Sequence, residues 1–147
     1  MRQEKRITIE DRGNKLEFVV REMTATQLED WTMRAVLVLA GAGSDIPANG
    51  GVEGIGRYLA EHGLAAIGNV NYEKAKPLLD EMLGCCYRVV DRMEERVTPE
   101  TADAYILDMS TLFKLRLEAF KTNFAFFGHG GQSASPEKPS SVRLSAR

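Results

Sequence analysis

Apolar residues recur along this 147-residue chain with two different periods, and the switch between them marks where strands should give way to helices. Ile7 and Ile9 alternate with Thr8 and Glu10; Leu16, Phe18 and Val20 alternate with Lys15, Glu17 and Arg21. A period of two belongs to a strand with one buried face. Between the runs lie Asp11, Arg12, Gly13 and Asn14, of which Gly13 and Asn14 are suited to positive φ. The pattern predicts an antiparallel hairpin over residues 5–22. Two strands alone are marginal in water, so their apolar face has to lie on helices or pair with another chain.

The helical period follows at once. Thr24 and Gln27 have the spacing at which a hydroxyl and an amide cap each other's backbone N–H groups. Leu28, Trp31, Ala35 and Leu39 then mark one helix face, and residues 35–40 are apolar without exception. A helix apolar all round is a buried one, and each large side chain it buries contributes roughly 1.5–3 kcal/mol. Residues 24–42 are therefore expected to form the helix around which the rest packs. On that reading Leu37→Asp unfolds the domain, because an unpaired charge would be buried.

Residues 41–51 are Gly-rich and read as a loop. Val52, Ile55, Tyr58 and Leu59 make a short amphipathic helix ending near Gly63, followed by an apolar stretch punctuated by Gly68 and Asn69. Asn71 can cap a helix over residues 72–76, which Pro77 kinks or restarts. Leu79, Met82, Leu83, Cys86 and Val90 continue a helical face, with Asp80, Glu81, Arg88 and Asp91 outside it. Glu94, Glu95 and Arg96 read as a solvated connection. Thr98, Pro99 and Glu100 form a helix start of cap, proline and acid, opening a last helix over residues 102–127. The expected fold class is α+β, mainly helical with four or five helices and an N-terminal antiparallel β-hairpin. One globular domain covers residues 1–127, with the hairpin at 5–22 and the helical part at 24–127. Residues 128–147 are polar and rich in Gly, Ser and Pro, the composition of a flexible tail, of which 130–147 should be dispensable for folding.

Composition removes several kinds of function. Apolar residues make up 44% and charged residues 27%, with a net charge of −2, so no clustered positive face suggests nucleic acid. The start, MRQEKRITIE, lacks the apolar segment of a secretory signal, and the apolar run at 35–42 is far short of a membrane span. Cys85 and Cys86 are adjacent and read as reduced thiols, as expected in the cytoplasm. Gly51 and Gly56 have the gap of a phosphate loop, but Arg57 and Tyr58 stand where Lys and Ser/Thr are needed. His62 with either cysteine lacks an electropositive setting, and His129 has no ligand at metal-binding spacing. The adjacent carboxylates Glu29/Asp30, Asp80/Glu81 and Glu94/Glu95 point apart on a helix. No catalytic, cofactor-binding or metal residue is predicted, and a small enzyme is the weakest reading.

The last helix carries more apolar surface than one contact needs. One stripe runs through Ile106, Met109, Phe113, Leu117, Phe120, Phe124 and Phe127, and is assigned to the core. A second, about 120° away at ~100° per residue, runs through Tyr105, Leu112, Leu115, Ala119 and Phe126, with Arg116 and Asn123 between the two. It either widens the core or receives a partner. The partner-binding expectation names Leu112, Leu115, Ala119 and Phe126, next to Phe124 and Phe127.

The hairpin KRITIEDRGNKLEFVV, the segment REMTATQLEDWTMRAVLVLA, the run LLDEMLGCC and the closing FKLRLEAFKTNFAFF before a polar tail together resemble the tail assembly chaperones of long-tailed bacteriophages and prophages. The likeness covers about residues 5–127. It implies a non-catalytic protein of the host cytoplasm that binds the tape-measure protein, helps recruit tail-tube protein and is absent from the mature virion. It also implies that a longer, frameshifted form can exist, and leaves a homo-oligomer open. Met82, Met93 and Met109 suit such a role, as methionine adapts to varied partners. The alternative is a structural virion component, a minor tail or head–tail connector protein, whose hairpin would add to a neighbour's sheet.

Overall fold

A computed structural model of the chain describes residues 2–41, 43, 51–68 and 70–134, with side chains described at all but 51–52, 63–68 and 126–134 of these. Strands β1 (Glu4–Asp11) and β2 (Asn14–Arg21) form the expected hairpin, in register Ile7↔Phe18 and Ile9↔Leu16. Positive φ falls on Arg12 and Gly13, not on Gly13 and Asn14, because a two-residue turn leaves Asn14 as the first strand residue. Helix α1 (Ala25–Gly41) opens on the reciprocal cap, with Gln27 N–H donating to Thr24 Oγ1 at 3.3 Å and Thr24 N–H to Gln27 Oε1 at 3.1 Å. Helix α2 (Gly51–Gly68) runs past the predicted stop at Gly63. Helix α3 (Tyr72–Leu83) is capped by Asn71, whose side chain accepts from Glu73 N–H at 2.7 Å, and continues through Pro77. The Gly-rich stretch assigned to a loop lies largely outside the described residues.

The chain then departs from the predicted helical course. Helix α3 ends at Leu83, and the next residues form β3 (Cys86–Val90) and β4 (Met93–Arg96). The supposed helix face through Cys86 and Val90 and the supposed connection at 94–96 are thus a second hairpin. It turns on Asp91 and Arg92, both at positive φ without a glycine. The four strands form one antiparallel sheet in the order β1-β2-β3-β4. Thr98 caps as expected, in a box with Thr101, but the helix it opens, α4 (Pro99–Ala102), is one turn long. The last helix, α5 (Met109–Ala134), is separate and continues past residue 127; the remainder of the predicted tail, 135–147, lies outside the described residues.

Asp11 explains where α5 begins. It is fully buried at the end of β1, and its carboxylate accepts from Leu107 N–H (2.8 Å), Asp108 N–H (3.0 Å) and Thr111 Oγ1–H (2.7 Å). The tip of the first hairpin therefore supplies an anion to the N-terminal turn of a helix about a hundred residues later in sequence. Burial raises the Asp11 carboxyl; the hydrogen bonds from Leu107, Thr111 and Asp108, with Arg12 nearby, outweigh it and hold the group below its ordinary 3.8.

Helix α5 lies against β1, β2, α2 and α3, which makes it the central element in place of α1. Leu115 and Ala119 are buried toward the sheet side, where Cys86 Sγ lies 3.5 Å from the Leu115 carbonyl oxygen. On its other side Trp31 of α1 meets Phe120 and Phe124, with ring centroids at 6.1 and 5.7 Å, and donates Nε1–H to the Leu78 carbonyl at 3.0 Å. In α1 only Trp31, Ala35 and Leu39 are buried; Leu37 is 66% exposed. The all-apolar run at 35–40 is thus one-sided, because α1 lies in the outermost layer.

Two expectations follow. Leu39→Asp should abolish the cooperative thermal transition, whereas Leu37→Asp should move Tm by no more than about 2–3 °C; equal effects would show that α1 is buried on both sides. Asp11→Ala should cost roughly 3 kcal/mol in urea denaturation, since charge-assisted hydrogen bonds are lost and buried donors orphaned. A folded-state carboxyl below its unfolded value stabilises above the unfolded value and loses that contribution as pH falls through the folded one. Asp11→Asn should accordingly be less stable than the parent at neutral pH and show a shallower loss of stability below about pH 4. Parallel acid profiles would remove Asp11 from that role.

Candidate interaction surface

The residues predicted to meet a partner are mostly inside the molecule. Leu115, Ala119 and Phe124 are buried, and Leu112 is half-buried against the same core. The side chains of Phe126 and Phe127 lie outside those described. The stripe assigned to the core is buried at Ile106, Phe120 and Phe124 but open at Met109, Phe113 and Leu117, which are 73%, 62% and 42% exposed. The reason is geometric. At ~100° per residue, Met109, Phe113, Leu117, Phe120 and Phe124 fall within one arc of about 80°. Trp31 contacts that arc at Phe120 and Phe124, and its first half extends beyond the α1 contact.

The first half of α5 is tied to the rest of the fold beneath this face. Asp108 accepts from Ser110 N–H at 3.0 Å while Asp11 holds the preceding backbone. Lys5 pairs with Glu118 at 2.6 Å, tying β1 to the helix. Arg116 donates to the Leu79 carbonyl and to Asp80 Oδ1, both at 3.2 Å, fixing α5 against α3. Asn123, read as a divider between stripes, is a buried link: its Oδ1 accepts from Met23 N–H at 2.8 Å and its Nδ2 donates to the Ala119 carbonyl at 2.9 Å.

Lys114 and Lys121 are exposed on α5 and, among the described residues, have no ion pair. Exposed Leu107 extends the apolar face before the helix begins. Met33 and Leu37 are a smaller exposed pair on α1. Met33 also borders an apolar groove of about 330 Å³ with Leu28, Ile55 and Phe124.

Among the described residues the chemistry-bearing side chains do not converge. A polar cleft of about 370 Å³ is lined by Arg2, Arg21, Glu22, Glu81, Cys85 and Arg96 among others. Its charges are largely satisfied: Arg21 binds Glu4 and Glu94, and Arg96 donates to the Gly84 carbonyl at 2.7 Å. Burial pushes both the Cys85 and Cys86 thiols up, so neither is a ready thiolate. His62 stacks on Tyr58 at 4.3 Å on α2. Among the described residues no group of His, Cys, Asp and Glu could hold a metal, and no helix is long and apolar enough to cross a membrane. Periodicity found the open stripe without showing which of the two stripes the sheet would take.

The placement reverses the expected mutational pattern. Leu115→Glu should prevent folding. Phe113→Glu should keep the parent's circular dichroism and melt within about 2 °C of it, as exposed substitutions usually stay within ±0.5 kcal/mol. A Phe113→Glu protein that failed to fold would place that ring in the core.

No family model, curated protein or solved structure matches the chain, so the open face and the resemblance described above are what bear on function.

Proposed function

We propose that the protein is a non-catalytic tail assembly chaperone that binds apolar helices of a tape-measure protein through the outer face of α5 and helps recruit tail-tube protein in the host cytoplasm. The observation that carries this reading is the row Met109, Phe113 and Leu117, exposed at successive turns of a helix whose backbone is pinned from both ends of the row. Three large apolar side chains at i, i+4 and i+8 form the surface on which another amphipathic helix docks. The resemblance supplies the identity of the partner. The partner face moves from the stripe through Leu115 and Ala119 to this one.

The alternative, a structural virion component, draws on the sheet. Strand β1 is an edge strand of eight residues, and adding a neighbour's strand there is a known assembly mode. Lys5, Arg6 and Glu10 along that strand oppose it, since charges on an edge discourage pairing. Mass spectrometry of purified virions separates the two readings, because a chaperone should be missing from the particle.

Co-expression with the tape-measure gene tests the surface directly. The parent should hold the tape measure soluble and co-purify with it, while Phe113→Glu with Leu117→Glu should fold normally and lose both. Interface aromatics and their neighbours commonly carry more than ~1–2 kcal/mol each, so the loss should exceed about tenfold in retained partner. Undiminished capture by the folded double variant would remove this face from the mechanism.

A further inference from the structure

The open face of α5 differs in charge from the molecule as a whole. The chain carries a net charge of −2, yet Lys114 and Lys121, which flank the row Met109, Phe113 and Leu117, have no ion pair among the described residues. On a helical projection both lie within about 60° of Leu117, on the same border of the stripe. The acids nearest in sequence are already engaged: Glu118 with Lys5, and Asp108 with Ser110 N–H and Arg12. Along the opposite border Arg116 is held by Asp80 and the Leu79 carbonyl.

The stripe is also unfinished, not isolated. Its second half, Phe120 and Phe124, is occupied by Trp31 of α1, and the exposed half continues the same line toward the N-terminus of α5. An occupant of the exposed half would extend a helix–helix interface that the fold already contains. The uncovered row is about 12 Å long, two turns of helix.

We propose that this face receives an amphipathic helix of another protein whose apolar stripe is bordered by acidic residues, seated in line with α1 on the same arc of α5. This rests on the reading of the α5 face as the partner surface. A second copy of the chain fits poorly, because two such faces would bring Lys114 and Lys121 against their own kind. The chain's own C-terminal segment is also unsuited: residues 135–147 hold Glu137 against Lys138, Arg143 and Arg147.

Two labelled synthetic helices of about 18 residues, five turns, share one leucine stripe and differ only in bordering glutamates or lysines. Fluorescence anisotropy with the full chain should show the glutamate peptide binding roughly fivefold to tenfold more tightly at low salt, with the gap closing at high salt. Lys114→Glu with Lys121→Glu should invert the order, and Phe113→Glu should weaken both peptides. Equal affinities, binding of neither peptide, or an order unchanged by the charge swap would overturn the proposal. So would light scattering that showed a dimer abolished by Phe113→Glu, which would give the face to a second copy. If the tape measure is lost on Phe113→Glu while the peptides are not discriminated, the partner surface stands and the acidic border falls. If capture survives Phe113→Glu, the surface reading itself fails.

Discussion

Helix α5 carries apolar side chains over about 200° of its circumference, and a helix in that condition has to be covered from two sides. The sheet side is occupied where Leu115 and Ala119 are buried, with Cys86 beneath them. A second layer is then required for Phe120 and Phe124, and Trp31 is what α1 brings to it. Every other placement answers to this. Strands β3 and β4 widen the sheet beside β2, α3 is tied to α5 through Arg116, and α2 lies along α5 itself. Full burial of the aromatic and aliphatic side chains on α5 is worth roughly 1.5–3 kcal/mol each.

Hydrophobic burial is not directional, and the polar links set the register. Asp11 fixes the start of α5 against the hairpin tip, and Asn123 fixes its middle against Met23. Both are buried, so each would be a liability without its partners. Each is satisfied by groups that themselves need a partner. Leu107 and Asp108 N–H precede the helix and have no intrahelical acceptor, and the Met23 N–H lies between β2 and α1 outside any ladder. Sliding α5 by one turn would orphan all of these at once.

Local chemistry was legible where a residue acts on its neighbours. Thr24 and Gln27 cap each other as their spacing demands, Asn71 and Thr98 cap the helices they precede, and the first hairpin follows its alternation. The second hairpin was hidden because Asp91 and Arg92 carry no glycine to signal positive φ, and because Leu79, Met82, Leu83, Cys86 and Val90 also fit a helical spacing. The interruption before α5 was hidden because its cause, Asp11, lies far away in sequence. The two stripes of α5 were visible, but periodicity is symmetric between them. Only the tertiary arrangement decides that the sheet takes Leu115 while Phe113 faces outward.

The Asp11 link also bears on the open face. Asp11 accepts from the N–H groups of Leu107, itself exposed, and of Asp108, and from the hydroxyl of Thr111, residues that alternate in sequence with Met109 and Phe113. The first turn of a helix is ordinarily where it frays. Here it is anchored at the point where the exposed row begins, and Arg116 anchors it again beside Leu117. A partner would therefore meet a surface already ordered, and the entropy of arranging the helix has been spent in folding the hairpin against it. The same anchoring limits how far α5 can yield to bury the row within its own chain. Exposed apolar side chains on a flexible segment could collapse; on a pinned helix they stay presented.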